Sequence, residues 1–147
     1  NPEKVAKEFL REMFVAMGII VNIETELKEK QLNINLSGSD MGILIGKRGQ
    51  TLDSIQYLVN LVVNKGNAPY LSITIDTENY RQRRKETLEA LAHNLAKKVR
   101  QTGKKVVLEP MNPYERRIIH STLQNNRYVT TYSEGEEPFR NVVIALK

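Results

Sequence analysis

The sequence predicts an α+β protein built from two units, and three observations carry that prediction. Over the first half, apolar residues recur at helical spacing and then in strict alternation, in the order helix, strand, strand, short helix, helix, strand. After Asp76 the pattern changes to one long helical run. The charge divides at the same place. Residues 1–77 hold 8 Lys+Arg and 9 Asp+Glu, a net of −1, whereas residues 78–147 hold 14 and 8, a net of +6. The expected domains are therefore 1–77 and 78–147, and the excess positive charge points to an anionic partner or to a solvated basic helix.

Composition removes several function classes. With no Cys and two well-separated His among 147 residues, no disulfide framework, thiolate zinc site or histidine metal cluster is expected, and no cofactor. The longest apolar runs, Tyr57-Leu58-Val59 and Leu61-Val62-Val63, fall far short of the roughly 20 residues that span a bilayer, so no membrane insertion is expected. The chain opens at Asn1 with no charged-then-apolar leader, which makes the cytoplasm the expected compartment.

The elements follow in order. Val5, Phe9, Met13 and Met17, with Val15 and Ala16 nearby, predict a first helix closed by Gly18. Val21, Ile23, Thr25 and Leu27 alternate, and after a Lys28-Glu29-Lys30 turn so do Leu32, Ile34 and Leu36, which predicts a hairpin with one buried face. Ser37-Gly38-Ser39-Asp40 offers a loop and a helix N-cap, and residues 41–45 a short apolar turn. A helix over 51–64 is expected to bury Leu52, Ile55, Val59, Val62 and Val63, followed by a strand through Leu71, Ile73 and Ile75. Leu88, Leu91, Leu95 and Val99 mark the long helix, which ends at Gly103 and is expected to join the two units directly. A short strand at 106–108 precedes Asn112-Pro113-Tyr114-Glu115, which supplies a cap, a proline at the first helical position and a glutamate at the third. That helix holds Ile118, Ile119 and Leu123 and closes at Asn125-Asn126. Strands over 127–132 and 139–146 flank a polar tip at 133–138.

Two motifs bear on chemistry. In Ile45-Gly46-Lys47-Arg48-Gly49-Gln50-Thr51-Leu52, two glycines bracket two cations between helices, so bare backbone, positive charge and the N–H groups of a helix start can meet one phosphate. With eight glycines a stray GxxG is expected about 0.4 times by composition, so the surroundings must carry the reading. A nucleotide-binding Walker loop does not fit. Only three residues separate Gly42 from Gly46, and Arg48 stands where a magnesium-binding Ser or Thr is required. The second motif is Arg116-Arg117-Ile118-Ile119-His120. Spacing i, i+4 puts Arg116 and His120 on one helix face at the border of the apolar stripe, as a phosphate-binding pair or as a structural hydrogen-bonded pair. Arg81, Arg84 and Lys104 either extend a basic track or line a solvated helix face, and His93 has no metal-ligand neighbours.

Ile-Gly-x-x-Gly-x-x-Leu between a short and a full helix, after a hairpin, resembles the KH domain in its type II order, αββααβ. A long helix, a strand, an Arg-x-x-x-His helix and a final hairpin resemble the R-three-H domain, a small α/β unit with a three-stranded sheet. The two in this order, with Met111 to His120 and the tail Tyr132-Ser133-Glu134-Gly135-Glu136-Glu137-Pro138, resemble the bacterial Jag/KhpB (SpoIIIJ-associated) family over essentially the whole chain. Family members usually carry an additional N-terminal domain and linker, which these residues do not include.

The resemblance implies single-stranded RNA as ligand, with single-stranded DNA as the alternative. It makes Gly46, Lys47, Arg48 and Gly49 a backbone clamp, Ile43, Ile45 and Leu52 groove candidates, and Arg116, Arg117 and His120 the contacts of the second domain. It further implies an RNA chaperone or post-transcriptional regulator linked to cell-envelope or elongation control. A homodimer, or a heterodimer with a small single-KH protein, would instead make it a protein-interaction adaptor. An enzyme is not expected, because no paired carboxylates, metal cluster or activated nucleophile can be assembled from the spacing.

Overall fold

Asn1 starts the chain as a helix cap, its side-chain oxygen accepting from the amides of Glu3 and Lys4 at 3.0 and 3.3 Å. In the computed structural model, which describes residues 1–66 and 69–147, the chain divides into two compact units, Asn1–Arg81 and Gln82–Lys147.

In the first unit, α1 (Pro2–Met17) ends where Gly18 adopts φ 72°. Its buried stripe is Ala6, Leu10 and Phe14, with Phe9 and Met13 half-buried, while Val5 and Met17 are exposed. The expected stripe was therefore one residue out of phase. Repeated steps of four advance about 40° each around a helix, so four such residues cannot share one face. β1 (Asn22–Lys28) pairs antiparallel with β2 (Gln31–Ser37), which pairs parallel with β3 (Ser72–Thr77), giving the order β1-β2-β3. Central β2 buries Leu32, Ile34 and Leu36; edge strand β1 is only partly covered and leaves Leu27 exposed.

A parallel β2–β3 pair requires a crossover, and that crossover contains the glycine motif. It consists of α2 (Met41–Ile45), a 3₁₀ turn at Lys47–Gly49 and α3 (Gln50–Val63). Asp40 makes no side-chain capping bond to α2, contrary to expectation. α3 buries Leu52, Ile55 and Val59 fully against the sheet and α1, whereas Val62 and Val63 are half-buried. Glu78 and Asn79, at φ 53° and 55°, turn the chain into α4 (Tyr80–Thr102), and the Asp76 carboxylate accepts from the amides of Thr77 and Arg81. The order αββααβ is the one the periodicity predicts.

The second unit holds the rest of α4, β4 (Val106–Val107), α5 (Pro113–Leu123), β5 (Val129–Glu134) and β6 (Asn141–Leu146). Its sheet is antiparallel in the order β4-β6-β5. α4 buries Leu88, Ala92, Ala96 and Val99, and the expected Leu91 and Leu95 only flank that line. Ala92 and Ala96 occupy its centre. Asn112 caps α5 as expected, accepting from the Glu115 amide at 2.8 Å. The last two strands begin two residues later than alternation suggests. Asn126 Oδ1 accepts from the amides of Tyr128 and Val129, which holds those residues in a turn.

Candidate nucleic-acid interface

The glycine loop is built from left-handed backbone. Gly46, Arg48 and Gly49 have φ of 69°, 54° and 77°, and Gly46 has ψ −171°, a region essentially confined to glycine. A Cβ at Gly46 would lie 2.1 Å from Thr51 Oγ1, and one at Gly49 would lie 2.6 Å from the Tyr80 ring. Both glycines are thus required from inside the protein, before any ligand is considered. Arg48 has no such freedom, and a side chain held in the left-handed region costs roughly 1–2 kcal/mol. Strain of this kind clusters at ligand clamps.

Around this loop the charge is positive. Lys47 is exposed, Arg48 is half-buried, and no side chain caps the N-terminus of α3. Asp53, the acidic residue of that helix's first turn, has its carboxylate 2.8 Å from Arg81 Nη1. The N-terminal end of the α3 dipole and two cations thus lie together at this loop, an arrangement suited to an anion. Ile43, 56% exposed, and half-buried Ile45 place an apolar patch on the short helix that leads into the loop. Leu52 is a correction: it is fully buried in the core and offers nothing to a groove, because it sits on the inward face of α3.

Arg81 is a second correction. Its guanidinium donates to the Asp53 carboxylate, to Gln56 Oε1 at 2.9 Å and to the Ile75 carbonyl at 2.8 Å, so it ties α3 to β3 and belongs to no basic track. Gln56 Oε1 also accepts from the Ile75 amide. Together with Tyr80 and Thr51, this brace supports the loop from behind. The sequence offers Arg81 only as part of a basic track, because its pairing with Asp53 forms through tertiary structure.

In the second unit the Arg-x-x-x-His pair is turned inward. Arg116 is 8% exposed and donates to the Met111 carbonyl at 2.5 Å and to the Glu137 carboxylate. His120 meets Thr131 Oγ1 through Nδ1 at 2.7 Å and Ser133 Oγ through Nε2 at 2.9 Å. The expected phosphate fork is therefore occupied: the face shared by these residues meets β5 and the 133–138 tip. Arg84 is similarly engaged, its Nε 2.8 Å from the Glu115 carboxylate with both side chains largely buried. Arg117 and Lys104 remain exposed. Arg117 lines a shallow groove of about 300 Å³ with Lys85, Glu89 and Tyr114. Among the described residues no cluster of three or more acidic or histidine side chains could hold a metal ion, and no helix is long and apolar enough to cross a membrane.

Comparison with known proteins agrees with this architecture. The KH-domain model of KhpA/KhpB matches residues 3–75, and the R-three-H domain model matches residues 86–146. The protein named RNA-binding protein KhpB from Bacillus subtilis is 40% identical over the whole chain, which covers 72% of that relative. The chain belongs to the KhpB family. The KhpB of Clostridium symbiosum is 64% identical over 97% of the chain, and that of Lactiplantibacillus plantarum 36% identical over 95%. The chain spans 65% and 44% of the lengths of these two KhpB relatives.

The inward histidine of this KhpB chain gives a pH prediction. Burial, then the positive charges of Arg116 and Arg140, lower the His120 pKa from its usual value. The unfolded imidazole takes up a proton near pH 6.5, whereas the folded one resists until lower pH. The unfolded state therefore binds more protons over that window, and stability falls as pH drops from about 6.5 towards the folded pKa. Thermal melts between about pH 7.5 and 5.5 should show this fall, and His120→Gln should flatten part of it. An unchanged slope in the variant would remove His120 as its source.

Proposed function

We propose that the chain binds single-stranded RNA, holding the phosphodiester backbone at Gly46, Lys47, Arg48 and Gly49 while unstacked bases lie over Ile43 and Ile45. The observation that carries this reading is the left-handed glycine loop, with exposed Lys47 and strained Arg48 leading into an uncapped 14-residue helix. The names of the KhpB relatives as RNA-binding proteins support it. An exposed isoleucine gains from a base only where that base is free of a duplex, which favours single strands. The +6 of residues 78–147 supplies longer-range attraction, with Arg117 and Lys104 among its exposed cations, while Arg116 and His120 hold that unit's shape. Two weak contacts on one chain raise each other's effective concentration. The physiological extension is RNA chaperoning or post-transcriptional control in the cytoplasm, linked to the cell envelope.

A second reading, an adaptor that self-associates or pairs with a small single-KH protein, is favoured by exposed Tyr57, Leu58 and Leu61 on α3. One experiment separates the two. Fluorescence polarisation with a labelled oligonucleotide of about 12 nucleotides, single-stranded and as a duplex, is run between about 50 and 200 mM salt, with light scattering on the same samples. RNA binding predicts tighter binding of the single strand and a negative slope of log affinity against log salt, about −0.7 for each phosphate contacted. A dimer mass with no RNA affinity would favour the adaptor.

A further inference from the structure

The second unit contains a cationic groove that includes neither the glycine loop nor the Arg-x-x-x-His pair. It lies between the last turns of α4 and the segment linking α5 to β5, has a volume of about 250 Å³, and is lined by His93, Lys97, Arg100, Asn126, Arg127 and Tyr128 beside Ala96. No carboxylate is among its lining residues. The Arg100 guanidinium carbon stands 3.5 Å from the centroid of the Tyr128 ring, so this cation is held flat by a cation–π contact. Among the described residues, Lys97, Arg100 and Arg127 have no carboxylate partner and no hydrogen bond from their cationic groups. Asn126 has its side-chain oxygen engaged with two amides, which orients its carboxamide and leaves the NH₂ group as a donor.

Cations near a helix C-terminus are explained by the helix dipole, but only where they belong to that helix. Arg127 and Tyr128 come from another segment. Three positive side chains gathered without a counter-charge repel one another, and an anion relieves that repulsion. The Lys85–Arg117–Tyr114 groove is less suitable, because Glu89 lines it and opposes a phosphate. A volume near 250 Å³ is below the ~300–1,000 Å³ of pockets that enclose a whole small molecule. It suits one phosphodiester with part of its nucleoside.

We propose that this groove is a second phosphodiester-binding subsite for single-stranded RNA. Arg100 and Arg127 fork onto a phosphate, Lys97 adds charge, and the adjoining base packs against the Arg100–Tyr128 stack. The proposal rests on the RNA-binding reading above.

The test is a polarisation titration of single-stranded RNA with the full chain, comparing wild type, Lys97→Gln/Arg100→Gln/Arg127→Gln, and Lys4→Gln/Lys7→Gln/Arg11→Gln, which removes the same three charges from α1. The groove triple should weaken binding roughly tenfold or more and make the salt slope shallower by about 0.7, the contribution of one phosphate contact on a single strand. The α1 triple should change affinity less than about threefold. Equal losses in the two triples, or unchanged affinity in the groove triple, overturn the subsite while leaving RNA binding in place. A wild type that binds no RNA overturns both. Amide resonances of the unmutated protein provide a check independent of folding. Residues 126–128 and 93–100 should shift on adding RNA, and shifts confined to residues 43–52 would overturn the subsite.

Discussion

Lys47→Asp/Arg48→Asp is expected to bind single-stranded RNA roughly 50-fold more weakly than wild type while retaining its fold. Hydrogen bonds to a charged partner contribute about 1.5–3 kcal/mol each, and a loop open to solvent puts these two at or below the lower end. Reversing both charges adds repulsion from the phosphate, while the +6 of the second stretch keeps part of the attraction. The balance is a loss of about 2.3 kcal/mol, or roughly 50-fold. Aspartate suits both positions structurally. Lys47 is exposed, and Arg48 sits at φ 54°, a conformation that Asp tolerates better than most residues. A polarisation titration paired with a thermal melt checks both halves. Affinity within twofold of wild type, in a protein that melts normally, would remove the loop as the clamp.

That loop was legible in the sequence because glycine and charge are read directly from letters. Its support was not. Gly49 needs to be glycine because of Tyr80, which is 31 residues away, and Gly46 because of Thr51. Nothing in the spacing of apolar residues announces either contact. The same limit separates Leu52 from Ile43: both lie close to the loop in sequence, but one faces the sheet and the other faces solvent. Periodicity identified the existence and order of the helices, yet missed the phase of α1 and the alanine line of α4, where Ala92 and Ala96 are buried but carry little hydrophobic signal.

Arg116 and Arg117 show the limit most clearly. Adjacent on α5 and identical in chemistry, they stand about 100° apart around the helix. One is buried against the Met111 carbonyl and the Glu137 carboxylate, and the other is exposed. The partner that decides between them, Glu137, lies 21 residues further on in a segment read only as a polar tip.

Arg116→Met should therefore act on stability first. Methionine keeps much of the packing of the buried stem but leaves the Met111 carbonyl without its donor and removes the pairing with Glu137. Glu137 is half-exposed and recovers solvation when its partner is lost, so the cost falls below that of a fully buried pair, on the order of 2–3 kcal/mol. For a unit of this size that lowers the melting temperature by roughly 10–20 °C. Arg116→Lys, which retains the charge but not the fork, should fall between. At a temperature where the variant is still folded, its RNA affinity should lie within about twofold of wild type, since the guanidinium is occupied inside the protein. A tenfold loss of affinity in the folded variant, restored by lysine, would instead make Arg116 a phosphate ligand. The salt bridge to Glu137 would then have to open when RNA binds.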